Sequence, residues 1–113
     1  MHNACSVTIC TRNPRLDYLS RVLTALRQQT LPMIEWELLL IDNASQNPLQ
    51  NLVDLSWHPT ARIVHESEPG LSPARLRAIA EAEGELIIFV DDDNVLDPSY
   101  LSESMRIALQ FPV

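Results

Sequence analysis

Residues 85–94 read ELIIFVDDDN, an apolar run that ends in three consecutive carboxylates, Asp91, Asp92 and Asp93. Residues 85–90 have the length and apolarity of a buried strand. Adjacent carboxylates repel one another and are costly to desolvate, so they are favourable at a strand end only if they lie in water or bind a cation. The stretch therefore predicts a strand of a sheet and a candidate cation site at its carboxyl end.

Short apolar runs alternate with amphipathic stretches along the rest of the chain, the pattern of βαβ units around a parallel sheet. The predicted strands are residues 6–11, 36–41, 61–66 and 85–90. The predicted helices are residues 16–29, 48–55 and 72–83, and a last helix that follows Asp97 and Pro98. We expect residues 6–11 and 85–90 to be adjacent central strands that are buried on both faces, and residues 61–66 to be more exposed. The predicted fold class is α/β, with three layers and a mainly parallel sheet between flanking helices.

Capping residues mark the predicted helix ends. Ser72 followed by Pro73 is typical of an N-cap and a first helical residue, and Gly84 is expected to end that helix. Pro48 is expected in the first turn of the short helix, and Asp97 as the N-cap of the last one.

Composition narrows the class of protein. The chain has 113 residues, 46% of them hydrophobic, which suits one domain or part of a larger one. Its formal charge is -7 and every basic residue is an arginine, which disfavours nucleic acid and anionic membrane surfaces as partners. No apolar stretch has the length of a membrane span and no signal-peptide pattern opens the sequence. We expect a cytoplasmic chain, with membrane association of a longer protein left open.

The two cysteines, Cys5 and Cys10, fall in one predicted strand at opposite parity. Their side chains should point to opposite faces of the sheet, so they cannot readily form a disulfide. Buried free thiols in a reducing compartment are the expected state.

Polar segments follow three of the predicted strands: residues 11–13, residues 42–45 and residues 91–94. In parallel sheets, ligands bind outside the carboxyl ends of the strands, where these loops converge. One crevice would then hold a hydroxyl, amides, an arginine and a carboxylate cluster. Hard oxygen ligands in an incomplete protein cage suit Mg²⁺ or Mn²⁺, which keep positions open for phosphate oxygens. The sequence therefore predicts binding of a metal and a diphosphate.

Three segments carry a family resemblance: SVTICTRN (residues 6–13), ELLLIDNAS (37–45) and EPGLSPARLRAIAEAEGELIIFVDDDNVLDPSYL (68–101). In this order they resemble the N-terminal, nucleotide-sugar-binding half of a family 2 glycosyltransferase of GT-A fold. The resemblance implies a truncated, Rossmann-like domain part over residues 1–113, without the half that binds the acceptor. Because that half normally supplies the catalytic base, no catalytic residue is assigned.

The resemblance also implies roles for individual residues. The expected nucleotide-sugar-binding residues are Thr11, Arg12, Asn13, Asp42, Asn43, Arg75, Asp91 and Asp92. Asp91 and Asp93 would form the D-x-D that holds Mn²⁺ or Mg²⁺, with Asp93 as the direct ligand. Asp92 or Asp91 would lie near the ribose, and Asp42 and Asn43 at the base and sugar edge.

Two departures from the family pattern leave specific inferences open. Asn43 stands where many relatives have a second aspartate, and an amide can donate as well as accept, so uridine, thymidine and guanosine donors all remain candidates. Leu76 follows Ala74 and Arg75 where the family commonly has asparagine; Arg75 can still face the nucleotide.

Simpler structural roles compete with these assignments. The acidic triplet could be a solvated turn, with Asp93 or Asp97 capping the next helix. Asp42 could anchor an Asx-turn with Asn43 and Ser45. Arg12 could point into solvent, and so could one of Arg75 and Arg77, which diverge on a helix.

The favoured function is glycosyl transfer from a nucleotide-diphospho-sugar to a saccharide, lipid-linked glycan or protein acceptor. One alternative is a non-catalytic nucleotide-binding fragment or pseudoenzyme. A second is a nucleotidyltransferase, which generally needs a glycine-rich basic loop after the first strand, whereas residues 11–14 contain no glycine. We also expect the 113-residue chain to expose an apolar face through which it could self-associate.

Overall fold

The computed structural model describes residues 4–111 as a parallel sheet with helices on both sides. The strands and helices in chain order are β1 Cys5–Thr11, α1 Leu16–Arg27, β2 Trp36–Asn43, β3 Ala61–Glu66, α2 Leu71–Glu81, β4 Leu86–Phe89 and α3 Tyr100–Gln110. The four strands pair in the order β3-β2-β1-β4, and every pairing is parallel. The predicted α/β class and parallel sheet are confirmed. Among the described residues, no helix is long and apolar enough to cross a membrane.

Alternation along β1 separates two cores, one on each face of the sheet. Cys5, Val7 and Ile9 lie in the larger core, which also contains four buried residues of α1 and Leu101 of α3. Cys10 packs on the other face, against the smaller core that α2 closes. The two cysteines are free and lie on opposite faces, as their parity predicted, but only Cys5 is fully buried, whereas Cys10 is partly buried. Burial raises the pKa of the Cys5 thiol to about 11, so this thiol is unreactive at neutral pH.

The position of β4 departs from the prediction in one respect. The strand pairs with β1, as expected, but it is the last strand on its side of the described sheet rather than a central one. Phe89 is accordingly 41% exposed. The apolar run was interpreted as burial on both faces, but apolarity does not reveal whether a further strand lies alongside. The more exposed character predicted for β3 is confirmed, since none of its residues is fully buried.

Two predicted helix N-caps each differ from the structure by two residues. Helix α2 begins at Leu71, and Gly70 rather than Ser72 is its N-cap. Gly70 has φ of 128°, a backbone conformation that favours glycine. Helix α3 begins at Tyr100 after Ser99, because the Asp97 carboxylate accepts hydrogen bonds from the Ser99 N–H and hydroxyl and so forms the preceding turn.

The helix predicted over residues 48–55 is also wrong, because only a single 3₁₀ turn forms there, Leu49–Asn51. Pro48 precedes this turn instead of lying within it. The Asp54 carboxylate accepts a hydrogen bond from the Ser56 N–H at 2.9 Å and starts a new turn. This local side-chain bond competes with continuation of the helix.

A buried carboxylate ties together the amino-terminal ends of the strands. Glu37 of β2 is only 2% exposed and accepts hydrogen bonds from the Ser6 hydroxyl at 2.5 Å and the Glu83 N–H at 2.6 Å. The Ser6 hydroxyl in turn accepts a bond from the Gly84 N–H at 2.8 Å. Gly84 was predicted to end α2, but that helix ends at Glu81. The network therefore fixes the α2–β4 connection against β1.

A buried histidine gives the fold a specific pH dependence. His58 is 4% exposed, its ring centroid lies 4.3 Å from that of Trp36, and its Nδ1 accepts a hydrogen bond from the Thr60 N–H at 3.1 Å. Burial lowers the pKa of His58, partly offset by the Trp36 carbonyl. The unfolded chain, whose histidine has a pKa of about 6.5, therefore binds a proton at higher pH than the folded chain does.

We expect the free energy of unfolding to be fully retained above about pH 6.5 and to fall as the pH drops from there towards the lower folded pKa. His58→Asn keeps an acceptor for the Thr60 N–H but cannot titrate. Urea unfolding from pH 7.5 to 5 should therefore show a shallower decline for the variant, whatever its absolute stability. Parallel profiles for the two proteins would exclude His58 as the source of the decline.

Candidate nucleotide-binding site

The loops that follow β1, β2 and β4 meet at the carboxyl edge of the sheet. The Thr11 hydroxyl donates to Asp92 Oδ2 at 2.6 Å and so joins the end of β1 to the acidic triplet. The Asn13 N–H donates to the Ser45 hydroxyl at 2.9 Å, and Asn13 Oδ1 accepts from the Gln46 N–H at 2.8 Å. These bonds bring together the three segments that the sequence placed in one crevice.

The three aspartates of the triplet face different surroundings. Asp92 is half-buried and turned towards Thr11, whereas Asp91 and Asp93 are exposed. A hydrogen bond from the Asn94 N–H to the Asp91 carbonyl, at 3.1 Å, forms a turn here. Since α3 begins only at Tyr100, Asp93 is not a helix cap. Two exposed carboxylates are thus held beside one that is anchored.

The triplet provides carboxylate oxygens suited to a hard cation. Among residues 4–111, no three side chains of His, Cys, Asp or Glu group closely enough to hold a metal ion by themselves. Mg²⁺ and similar ions commonly take one or two carboxylates and complete their coordination with water and substrate phosphates. The residues present therefore fit a cation that shares its ligands with a bound diphosphate.

Asp42 lies at the end of β2 and is only 2% exposed. Its carboxylate accepts hydrogen bonds from the Ser45 N–H at 3.2 Å and the Leu49 N–H at 3.0 Å, and His65 Nδ1 lies 3.5 Å away. The side chain thus organises the loop after β2, as the Asx-turn alternative anticipated. Its predicted contact with the base and sugar stays a prediction.

Asn43 follows at the end of β2 and is 4% exposed. Its Nδ2 donates to the Glu68 carbonyl at 2.7 Å and more weakly to the Glu66 carbonyl at 3.4 Å, and its Oδ1 accepts from the Gly70 N–H at 2.8 Å. The side chain therefore connects β2 to the loop that leads into α2.

A cavity of about 260 Å³ opens beside this loop. Its walls are residues 10–12 at the end of β1, Asn43, and Gly70, Leu71 and Ala74 at the start of α2. Thr11, Arg12 and Asn43 were among the predicted nucleotide-binding residues. The other lining residues were missed, although a glycine just before a helix is a signal for close approach of a ligand to the backbone.

The two arginines of α2 have different surroundings. Arg77 pairs with Glu66 at 3.0 Å and lies 3.9 Å from Glu81, so it is engaged in surface ion pairs. Arg75 lies with its guanidinium carbon 5.7 Å from the centre of the Phe89 ring. Burial raises the pKa of the Cys10 thiol, and the positive charge of Arg75 partly offsets this rise. Arg75 therefore lies beside β4, whereas Arg77 is engaged with Glu66 and Glu81 on the surface.

Comparison with known proteins places the chain in a family. The pattern described as "Glycosyl transferase family 2" matches residues 6–111, and the chain belongs to this family. Poly(ribitol-phosphate) beta-N-acetylglucosaminyltransferase TarS of Staphylococcus aureus (strain Mu50 / ATCC 700699) is 28% identical over 102 residues, 88% of this chain and 18% of TarS.

Solved structures share the fold. The crystal structure of S. aureus TarS 1-349 in complex with UDP-GlcNAc matches with a TM-score of 0.79 and 23% identity, over 97% of this chain and 32% of that one. Mannosyltransferase PcManGT from Pyrobaculum calidifontis, in complex with GDP-Man and Mn²⁺, matches with a TM-score of 0.82 and 23% identity, over 96% of this chain and 33% of that one. The fold is that of GT-A glycosyltransferases, and the chain spans a third or less of these relatives.

Proposed function

We propose that this chain forms the donor-binding part of a glycosyltransferase, where it binds a nucleotide-diphospho-sugar together with Mn²⁺ or Mg²⁺. The observation that carries the proposal is the Thr11–Asp92 hydrogen bond of 2.6 Å, which links the end of β1 to an acidic turn with two exposed carboxylates. The arrangement offers the cation and the nucleotide adjacent places at the carboxyl edge of a parallel sheet.

In this proposal the three aspartates of the triplet have different roles. Thr11 fixes one oxygen of Asp92 and leaves the rest of that carboxylate for the ribose. Asp93, with Asp91, would hold the cation on the exposed side of the turn. When bound, the cation offsets negative charge that develops on the leaving nucleoside diphosphate. Arg12 and Asn13 would lie near the phosphates, and Arg75 near the nucleotide.

UDP-GlcNAc and GDP-mannose are the first donors to test, because the relatives with the same fold bind them. Transfer itself, to a saccharide, lipid-linked glycan or protein, would require an acceptor-binding half and its catalytic base, which we assign to a longer cytoplasmic or membrane-associated protein. Residues 1–113 would then be the donor-binding part of that domain.

Isothermal calorimetry tests the binding proposal. UDP-GlcNAc, GDP-mannose and the free diphosphates UDP, GDP, dTDP and CDP are titrated into the protein with Mn²⁺, with Mg²⁺ and with EDTA. We expect at least one nucleotide to bind in the presence of a divalent cation, and its affinity to fall strongly in EDTA. Absence of metal-dependent binding for every nucleotide would contradict the proposal. Binding without sugar transfer in a longer version that carries the acceptor half would favour the non-catalytic alternative.

We propose further that two copies of the 113-residue chain associate through the face beside β4. A groove of about 840 Å³ runs along β4 and α3. Most of its lining residues are apolar, and Phe89, Ile107, Leu109 and Phe111 among them are between 41% and 77% exposed. Exposed apolar surface next to an edge strand favours pairing with another chain. Such a contact would join the two sheets edge to edge.

Replacing Leu109 with Asp should raise the dissociation constant of this dimer about tenfold or more, because it places a charge in the apolar contact. Ile34→Asp is the matched control, since Ile34 is 62% exposed but lies in the turn before β2. Sedimentation equilibrium measures the dissociation constants of the wild-type chain and of both variants. A wild-type chain that stays monomeric at high micromolar concentration would contradict the proposal, as would equal weakening by the two variants.

A further inference from the structure

The side chain of Asn43 forms three hydrogen bonds to the backbone. Its NH₂ group donates to two carbonyls, those of Glu68 at 2.7 Å and Glu66 at 3.4 Å, and its oxygen accepts from the Gly70 N–H at 2.8 Å. Because the partners are a backbone N–H on one side and carbonyls on the other, the orientation of the amide is determined. With 4% of the residue exposed, little of it remains accessible to a ligand.

These bonds hold the segment that forms one wall of the cavity. Gly70 adopts φ of 128° and is the N-cap of α2, and both Gly70 and Leu71 line the cavity together with the end of β1. The loop from Glu66 to Gly70 has a second anchor, the bond from the Glu68 N–H to the Glu66 carboxylate at 2.9 Å. Asn43 joins Glu68 and Gly70 of this loop to the end of β2.

We propose that Asn43 is a positioning residue, which sets the shape of the nucleotide cavity through the Gly70–Leu71 backbone and does not itself read the base. The inference rests on the proposed function, because it concerns how the donor nucleotide is bound. It changes the role that the family pattern suggested for Asn43. Discrimination between bases then falls to the main chain and to the other residues around the cavity.

The two roles predict different results for Asn43→Asp. The aspartate can still accept from the Gly70 N–H, but it loses both donors and places a carboxylate oxygen against the Glu68 carbonyl, which was 2.7 Å from Nδ2. If Asn43 only positions the backbone, the substitution should therefore weaken the binding of UDP, GDP and CDP by the same factor, about tenfold or more. A residue that reads the base should change their ratio, because the carboxylate accepts from the ring N–H of uracil or guanine but is repelled by the ring nitrogen of cytosine, which is an acceptor.

The experiment measures Mn²⁺-dependent affinities of UDP, GDP and CDP for wild type, Asn43→Asp and Asn43→Ala at a temperature where each is folded. Glu37→Gln is the control, since it disturbs a buried network at the opposite end of the strands and should lower stability without changing nucleotide affinity. Hydrogen exchange of the Gly70 amide is measured in parallel and should accelerate in Asn43→Ala, which lacks the acceptor.

We expect the affinities for UDP, GDP and CDP to fall by one common factor in each Asn43 variant and to stay unchanged in Glu37→Gln. A changed ratio of the UDP, GDP and CDP affinities in Asn43→Asp would overturn the inference and leave the proposed function intact. So would unchanged affinities, or a loss in Glu37→Gln as large as that in the Asn43 variants. If wild type binds no nucleotide in the presence of Mn²⁺, the proposed function itself fails, and the positioning role fails with it.

Discussion

Gly84→Ala should destabilise the protein by about 3 kcal/mol or more, enough to unfold a marginally stable chain. A Cβ at position 84 would lie 2.5 Å from the Cys5 carbonyl carbon and 2.6 Å from the Ser6 backbone nitrogen. These atoms belong to β1, which is paired on both sides, by β2 and β4. Backbone in the middle of a sheet cannot move without disturbing both neighbours, so the clash cannot be relieved locally.

The loss extends beyond the direct clash. If the α2–β4 connection shifts outwards, the Gly84 N–H leaves the Ser6 hydroxyl and the Glu83 N–H leaves the Glu37 carboxylate. Glu37 then keeps only the Ser6 hydroxyl as a donor, and a buried carboxylate that loses a hydrogen bond is destabilising. Asp or Asn at position 84 should be no better than alanine, because any Cβ meets the same two backbone atoms.

Urea unfolding followed by circular dichroism measures this effect. Glu83→Ala is the matched control, since the neighbouring residue is exposed and contributes its backbone N–H, which alanine keeps. The control should change the free energy of unfolding by less than about 0.5 kcal/mol. Equal stability of Gly84→Ala and wild type would show that β1 and the α2–β4 connection are not in close contact in solution.

The sequence predicted the strands and the parallel class of the sheet because apolar runs and their alternation with helices record them directly. Alternation in β1 was sufficient to place Cys5 and Cys10 on opposite faces. It could not show that β4 is an edge strand, since LIIF would suit either position. The role of Gly84 was also hidden, because a glycine required by a close approach and a glycine that ends a helix look the same in sequence.

The candidate site was predictable as a location but not as a set of contacts. The rule for the carboxyl ends of parallel strands brought three distant loops together, and the Thr11–Asp92 bond connects two of them. Whether a polar side chain faces a ligand or its own backbone depends on three-dimensional geometry. Asp42 and Asn43 both bond to the loops around them. The sequence offered this role for Asp42 as an alternative, through an Asx-turn, but gave no such indication for Asn43.

Asp93→Asn should weaken Mn²⁺-dependent nucleotide binding by roughly 100-fold while leaving the fold intact. The substitution keeps the shape of the side chain but removes the charge that a hard cation requires. Asp93 is exposed and follows Asp91 and Asp92 directly, so the loss of one negative charge relieves repulsion in the empty site. The free energy of unfolding should therefore equal that of wild type or rise slightly, and binding measured in EDTA should not change.

Asp97→Asn separates a ligand effect from a general charge effect. It removes the same charge a few residues away, and its amide oxygen can still accept from the Ser99 N–H that Asp97 now bonds at 3.0 Å. Calorimetric titration of Mn²⁺ and UDP or GDP into the three proteins should therefore give wild-type affinity for Asp97→Asn and a large loss only for Asp93→Asn. Equal losses in the two variants would mean that the negative field of the loop, rather than coordination by Asp93, attracts the cation. Unchanged affinity in Asp93→Asn would exclude this carboxylate as a metal ligand and would leave Asp91 and the half-buried Asp92 as the carboxylates of the triplet that could hold the cation.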